Sequence, residues 1–365
     1  MSKLFNKVQE LEKLCEKSKE CFNKKTLLKC DIKELGSGNF GLVKKCLNNN
    51  DNEYAVKMVK NLSTMTQETN VKAKINLINE AIIMINIGDH DNIVKIMGVN
   101  IIPLDYDDYD DYDISFLLEI CNLGSLKSQL IDLKQNNQKI DTKTLQKIVF
   151  EIANGMAYLA QLNVVHNDLS TRNILLSSND TNFTTKISDF GLAKKLNNID
   201  RKLGYTIDNS IGGPFLWLSP ESLSKNMYSE KSDVWSFGIL LYEIEIAGES
   251  PVYKNPNGSN FKISKDTKEL FVKMLIVDDL RHESNQILPK YLDDIMHSCW
   301  KLKPHERPSF KDIMDKLILN MKKQNSNIKK ITTAKSNKSK KKTLLQRKEL
   351  QLIQRERTKG KSKKI

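Results

Sequence analysis

The stretch VVHNDLSTRNILL, residues 164–176, sets Asp168, Arg172 and Asn173 close together between two short apolar runs. Apolar runs of that length, rich in Val, Ile and Leu, read as buried strands, so the polar residues between them form a loop pinned at both ends. A carboxylate in such a loop can orient a hydroxyl and take its proton, while a carboxamide oxygen nearby can serve a hard cation. The arrangement therefore predicts a site where a reacting hydroxyl and a metal ion meet. An ordinary loop would account for it alone, so the neighbouring stretches decide.

Working outward, KISDFGLAK at 186–194 places Asp189 at a strand end, followed by Gly191, a pattern suited to a Mg2+ ligand in a mobile segment. Far upstream, GSGNFGLV at 36–43 lies between two strand patterns. Its glycines let the backbone fold closely over a ligand and turn N–H groups towards phosphate oxygens. The following FGLVKKCL reads as a strand rather than a helix, which argues against a dinucleotide fingerprint and for a hairpin lid. In EYAVKMV, residues 53–59, period-two alternation puts Ala55 and Lys57 on one face and Tyr54, Val56 and Met58 on the other. A lysine on a half-buried strand needs an anionic partner. INLINEAIIMINIG, residues 75–88, offers one, because Glu80 is its one charged residue and shares a helical face with Leu77 and Met84.

In this order these pieces resemble a eukaryotic-type protein kinase, closest in motif to the tyrosine kinase and tyrosine-kinase-like group, from the glycine loop to RPSFKDIMDKL. The resemblance implies an α+β, two-lobed fold, with a small β-rich lobe and a larger helical one. It implies ATP and Mg2+ as cofactors and protein hydroxyls as substrates. On the matching positions, Gly36, Ser37, Gly38, Asn39, Phe40, Gly41 and Val43 would cover the nucleotide, with Ala55 and the backbone of Glu119 and Cys121 around the adenine and Leu118 as gatekeeper. Lys57 would hold the α- and β-phosphates and Glu80 would position it; Asp168 would be the catalytic base, and Asn173 and Asp189 the metal ligands. Ser219-Pro220-Glu221 stands for the family's Ala-Pro-Glu, with Arg307 as the partner of its glutamate, and Asp233 matches the aspartate that braces the catalytic loop. Ser170, where serine/threonine kinases usually carry Lys, together with Arg172 and Pro214, is similar to tyrosine kinases. Two departures are Asn167, where most members have Arg, and Leu216, where tyrosine kinases usually have a basic residue. Three readings stay open: a tyrosine kinase, a serine/threonine-specific tyrosine-kinase-like enzyme, and a catalytically dead scaffold.

Composition sets the frame. The 365 residues carry 39% hydrophobic and 28% charged side chains, enough for a substantial core. No run is long and apolar enough to span a membrane, and the N-terminus lacks the apolar core of a secretion signal. The six cysteines show no zinc spacing and read as reduced thiols of an intracellular protein, cytoplasmic or nuclear. The net charge of +13 belongs to the end of the chain: residues 321–365 hold seventeen Lys or Arg against two Glu, leaving −2 for residues 1–320.

The expected organisation is a helical extension over 1–25, with Leu4, Val8, Leu11 and Cys15 at amphipathic spacing, a catalytic domain over 26–320 (lobes 26–121 and 122–320), and a basic tail over 321–365. The tail reads as a solvated extension, a nuclear address, or a contact for nucleic acid or anionic surfaces; without interleaved aromatics, base stacking is not supported. LDYDDYDDYDI at 104–114 reads as a solvated hairpin loop, with Tyr106, Tyr109 and Tyr112 as autophosphorylation candidates beside Tyr205.

Overall fold

The computed structural model describes residues 3–17, 22–23, 29–37, 41–47, 51–60, 66–104, 112–179, 182–197, 205–206, 215–254, 258–262, 264, 266–282 and 287–323. Two compact units, Met1–Met314 and Asp315–Ile365, divide the chain; the site lies wholly in the first, and of the second residues 315–323 are helical. The remainder of the basic tail lies outside the described residues.

Six strands make the small lobe: β1 (Phe22–Asn23), β2 (Lys29–Ser37), β3 (Gly41–Leu47), β4 (Glu53–Val59), β5 (Ile96–Pro103) and β6 (Tyr112–Leu118), in the order β1-β5-β6-β4-β3-β2. β2 and β3 form the antiparallel hairpin expected around the glycines, with Gly36 opposite Val43 and Ser37 opposite Leu42. The alternation in β4 is as its sequence predicts. Val56 packs with Cys46 and Leu117, and Tyr54 and Met58 lie against that cluster, so Ala55 and Lys57 face the other way. β1 pairs in parallel with β5, Phe22 opposite Gly98, so the sheet reaches back before residue 26.

Among the described residues two helices complete this lobe. α1 (Lys3–Lys17) buries Leu4, Val8, Leu11 and Cys15 and turns Lys7 and Glu10 outward, paired at 2.7 Å. α2 (Gln67–Ile87) is started by Thr66, whose hydroxyl accepts the Thr69 N–H at 3.2 Å. It stops at Gly88, where φ is +71° and the backbone N–H returns to the Met84 carbonyl. Removing four apolar side chains from water stabilises α1 by roughly 1.5–3 kcal/mol each before entropy is counted.

The large lobe begins with α3 (Leu126–Gln135) and α4 (Thr142–Gln161), followed by the short strands β7 (Val164–Val165), β8 (Ile174–Asn179) and β9 (Asn182–Ile187). Farther on come β10 (Lys194–Lys195), paired with β7, β11 (Tyr205–Thr206), paired with β12 (Met227–Tyr228), and α5 (Pro220–Lys225). Its core helix is α6 (Glu230–Glu245), opened by a capping box between Ser229 and Ser232 and buried along nearly its whole length. α7 (Lys268–Ile276) and α8 (Lys290–Cys299) complete this part of the lobe. Among the described residues no helix is long and apolar enough to cross a membrane.

Two expectations need correction. Tyr112 is not a loop residue: it opens β6 opposite Pro103 and is 8% exposed. Its partner strand draws the end of the Asp-Tyr run into the sheet, while Tyr106 and Tyr109 lie outside the described residues. The cysteines are not uniformly thiols either. Cys15, Cys121 and Cys299 keep theirs, whereas Cys46 is disulfide-bonded.

Candidate active site

The site is assembled where the sheet meets the loop between β7 and β8. β4 places Lys57 between Val43 on β3 and Phe116 on β6. From there its ammonium donates to Glu80 Oε1 at 2.6 Å and to Asp189 Oδ1 at 2.9 Å. Burial opposes the lysine charge, but the carboxylates of Glu80 and Asp189 outweigh it and hold the group above the usual lysine range. Glu80 is 5% exposed on α2, and it also accepts the Phe190 backbone N–H. A lone carboxylate in an apolar helix thus finds the partner its sequence demanded.

Gly191 explains how three charges fit. A β-carbon there would stand 3.3 Å from Asp189 Oδ1 and 3.4 Å from Glu80 Oε2, so the missing side chain leaves both carboxylates room. At Asp189 itself φ is +63°, a left-handed conformation that Asp tolerates better than most residues. Its half-exposed carboxyl is partly desolvated, yet the Lys57 ammonium keeps it below the ordinary aspartate range. Gly41 sits over the same lysine, its absent β-carbon 3.5 Å from Lys57 Cε. Gly36 and Ser37 are exposed at the end of β2, and Gly38, Asn39 and Phe40 lie outside the described residues.

Around Asp168 the loop is tied in several directions. Arg172 Nη2 donates to Asp168 Oδ1, and Asn173 Nδ2 donates to Asp168 Oδ2 at 2.8 Å and to its carbonyl at 2.7 Å. Burial raises the Asp168 carboxyl above the usual aspartate range, against the pull of Arg172. The Asp168 N–H donates to His166 Nδ1 at 3.2 Å, which leaves the ring proton on Nε2, 3.0 Å from the Ser188 carbonyl. Burial keeps that imidazole neutral by lowering its pKa. The Arg172 guanidinium lies over the Trp217 ring at 5.1 Å.

Beneath the loop are buried carboxylates that grip peptide groups. Asp233 accepts the His166 N–H at 2.7 Å and the Asn167 N–H at 2.9 Å. Burial pushes its carboxyl up to about 7, although both donors act the other way. Glu243 accepts the Thr171 N–H and hydroxyl, each at 2.9 Å. Sequence reading missed Thr171 and Glu243, although a carboxylate inside the apolar run FGILLYEIEI carries the same signal that singled out Glu80. Asn167, at φ +67°, donates from Nδ2 to the Leu192 carbonyl at 2.7 Å, clasping the chain that follows Asp189.

Glu221 and Arg307 pair as expected, by two parallel bonds of 2.6 and 2.8 Å. The carbonyls of Lys301, Lys231 and Leu302 take the remaining N–H groups of the guanidinium, so all five donors of this buried arginine are satisfied. At the junction of the lobes, Ala55 lies opposite Leu118 in the sheet. Glu119 gives its N–H to the Lys95 carbonyl, and the Cys121 carbonyl accepts from Gly124. The Glu119 carbonyl and Cys121 N–H remain without a backbone partner among the described residues. Pro214 lies outside the described residues, and of Tyr205 only the backbone, in β11, is described.

Asn173 and Asp189 suit a hard cation. With Nδ2 of Asn173 engaged by Asp168 and one oxygen of Asp189 engaged by Lys57, each retains an oxygen to offer. One carboxylate and one neutral oxygen match Mg2+, which keeps waters and phosphate oxygens in its other positions.

A family model described as protein tyrosine and serine/threonine kinase matches residues 30–317. The chain is 32% identical over 286 residues to tyrosine-protein kinase FRK of Homo sapiens, covering 78% of the chain and 50% of that protein. It is 33% identical over 288 residues to tyrosine-protein kinase SYK of Gallus gallus, covering 78% of the chain and 41% of that protein. Mast/stem cell growth factor receptor kita of Danio rerio is 38% identical over 185 residues, or 51% of the chain and 17% of the receptor. The chain thus spans half or less of the length of each of these relatives.

Proposed function

This chain belongs to the protein tyrosine and serine/threonine kinase family, and on that premise we propose that it transfers the γ-phosphoryl group of ATP to protein hydroxyls, with tyrosine preferred. The observation that carries this reading is the convergence of Lys57, held by Glu80 and Asp189, with Asp168, held between Arg172 and Asn173. Asp168 accepts the proton of the attacking hydroxyl as the new O–P bond forms and the bond from the γ-phosphorus to the β-phosphate oxygen breaks, with ADP leaving, and its partners keep that carboxylate aimed. Lys57 meets the phosphate oxygens with a charge that its neighbours preserve. The Glu119 carbonyl and Cys121 N–H offer the adenine one acceptor and one donor, and the β2–β3 hairpin covers the phosphates. Asn173 and Asp189 would hold Mg2+, which neutralises charge on the phosphates when bound.

Tyrosine preference rests on Arg172, four residues after the base and lying over the Trp217 ring, and on the similarity to the tyrosine-protein kinases FRK and SYK. Leu216, apolar where tyrosine kinases usually carry a basic residue, is the feature that favours the serine/threonine alternative. The proposed setting is intracellular, cytoplasmic or nuclear; the thiols at Cys15, Cys121 and Cys299 support it and the disulfide at Cys46 counts against it. Autophosphorylation is proposed at Tyr205, Tyr106 and Tyr109 but no longer at Tyr112, whose burial withholds it. The basic tail is proposed as a contact for nucleic acid or anionic surfaces.

Radiolabelled phosphate transfer to mixed Tyr and Ser/Thr polymers tests the reading, with Lys57→Met as the control. Label on tyrosine that vanishes in the control is the expected result. Label on serine or threonine alone would select the alternative, and no label on any polymer would leave a scaffold.

A further inference from the structure

The buried surface of α2 is wider than a helix lying on a sheet requires. One strip, Leu77, Glu80 and Met84, faces the side where Lys57 waits. A second strip, Lys74, Ile78 and Ala81, lies about 100° further round the helix by the 3.6-residue period, and it is buried too, with Ile78 at 0% exposure. A helix with one neighbour buries one stripe and leaves the rest to water, so the second strip needs a second cover. The elements packed closely on α2 are β4, β5 and β6 on the sheet side, and α1.

α1 is shaped for that task. Its apolar stripe, Leu4, Val8, Leu11 and Cys15, is at most 4% exposed, and its outer face carries charged residues. The chain that leaves α1 enters the sheet as β1, tied to Gly98 and Val99 of β5. α2 is therefore gripped between the sheet and a helix that is itself fastened to the sheet edge. Glu80 reaches Lys57 only if α2 stays where it is, because a hydrogen-bonded pair at 2.6 Å does not survive a shift of one or two ångströms.

We propose that α1 is an intrachain brace which holds α2 against the small-lobe sheet, so that Leu11 and Val8 are positioning residues for phosphoryl transfer, acting through Glu80 on Lys57. The inference rests on the kinase reading above. It assigns the first helix a part in turnover, beyond its contribution to folding.

The test is a double-mutant cycle in the full chain, with initial rates measured on the tyrosine polymer at saturating ATP and Mg2+. Glu80→Gln alone should lower kcat at least tenfold. Leu11→Asp should lower it by a similar factor while the main thermal unfolding transition persists, and in the Glu80→Gln background the same change should cost less than twofold. If Leu11→Asp does not fold, Leu11→Ala replaces it in the same cycle, with a smaller loss that is again absent beside Glu80→Gln. Equal losses in both backgrounds, or wild-type turnover in the folded Leu11 variant, would overturn the brace while leaving the kinase assignment intact. Wild-type turnover in Glu80→Gln would instead overturn the role given to Glu80, and the brace with it.

Discussion

Glu80 in the small lobe and Asp233 in the large lobe are both buried carboxylates, yet they are satisfied by different kinds of partner. Glu80 meets the ammonium of a side chain on another element, at 2.6 Å. Asp233 meets two consecutive peptide N–H groups of the loop it supports, and Glu243 does the same work at Thr171. A carboxylate gripping backbone fixes the path of the chain whether or not a substrate is present. One gripping a lysine across two elements depends on where those elements stand. The large-lobe half of the site is thus built into the fold, and the small-lobe half is an arrangement that packing must maintain.

The largest expected effect falls on the built half. Asp168→Asn keeps the shape of the side chain but removes the proton acceptor, so kcat should fall by roughly 10²–10⁴-fold with the melting temperature little changed. Steady-state kinetics beside calorimetry would check this, and near-wild-type turnover would remove Asp168 from the reaction. Arg307→Ala should do the opposite, emptying the buried guanidinium site and leaving the partly buried Glu221 without its partner. Breaking a buried pair of this kind costs about 3–5 kcal/mol, which urea unfolding would detect as a lowered midpoint; an unchanged midpoint would mean the large lobe does not depend on this pair.

A smaller effect should appear in the pH profile. Burial raises the Asp168 carboxyl and Arg172 pulls it down, and the base works only when ionised. Activity is therefore lost as pH falls through the Asp168 pKa, at a pH above the ordinary aspartate value of about 3.9. Removing the cation in Arg172→Ala raises that pKa further, so the acid limb of kcat/KM should move to higher pH. A limb that stays in place would assign it to another group.

The smallest effect is expected at Tyr205. In place of a charged fork for a phosphate, Asn167 makes a neutral hydrogen bond to the Leu192 carbonyl, which already ties down the segment after Asp189. Tyr205→Phe should leave turnover within about threefold of wild type, since that bond is already made and has no phosphate to wait for. A loss of a hundredfold would show that the built half is conditional after all, with another cation receiving a phosphate.

What the sequence determined by itself was the chemistry and much of the architecture. Lys57 and Glu80 stood out because each is a charge in an apolar pattern, and a low-dielectric interior forces such charges together. Asp168, Arg172 and Asn173 are near neighbours in the chain, so local geometry alone made their meeting legible. Glu243 carried the same signal and was missed, because its partners are a peptide N–H and a threonine hydroxyl, which no periodicity marks. Tertiary structure alone decided where apolar faces and chain ends go. The spacing of Leu4, Val8, Leu11 and Cys15 announces a stripe to be covered but not the surface that covers it, and only the folded lobe supplies α2. Tyr112 was drawn from an apparent loop into β6 by hydrogen bonds to a strand on the far side of the Asp-Tyr run. Hydrophobic pattern and charge isolation are properties of one segment, whereas docking and strand register belong to pairs of segments, and a pair exists only once the chain has folded.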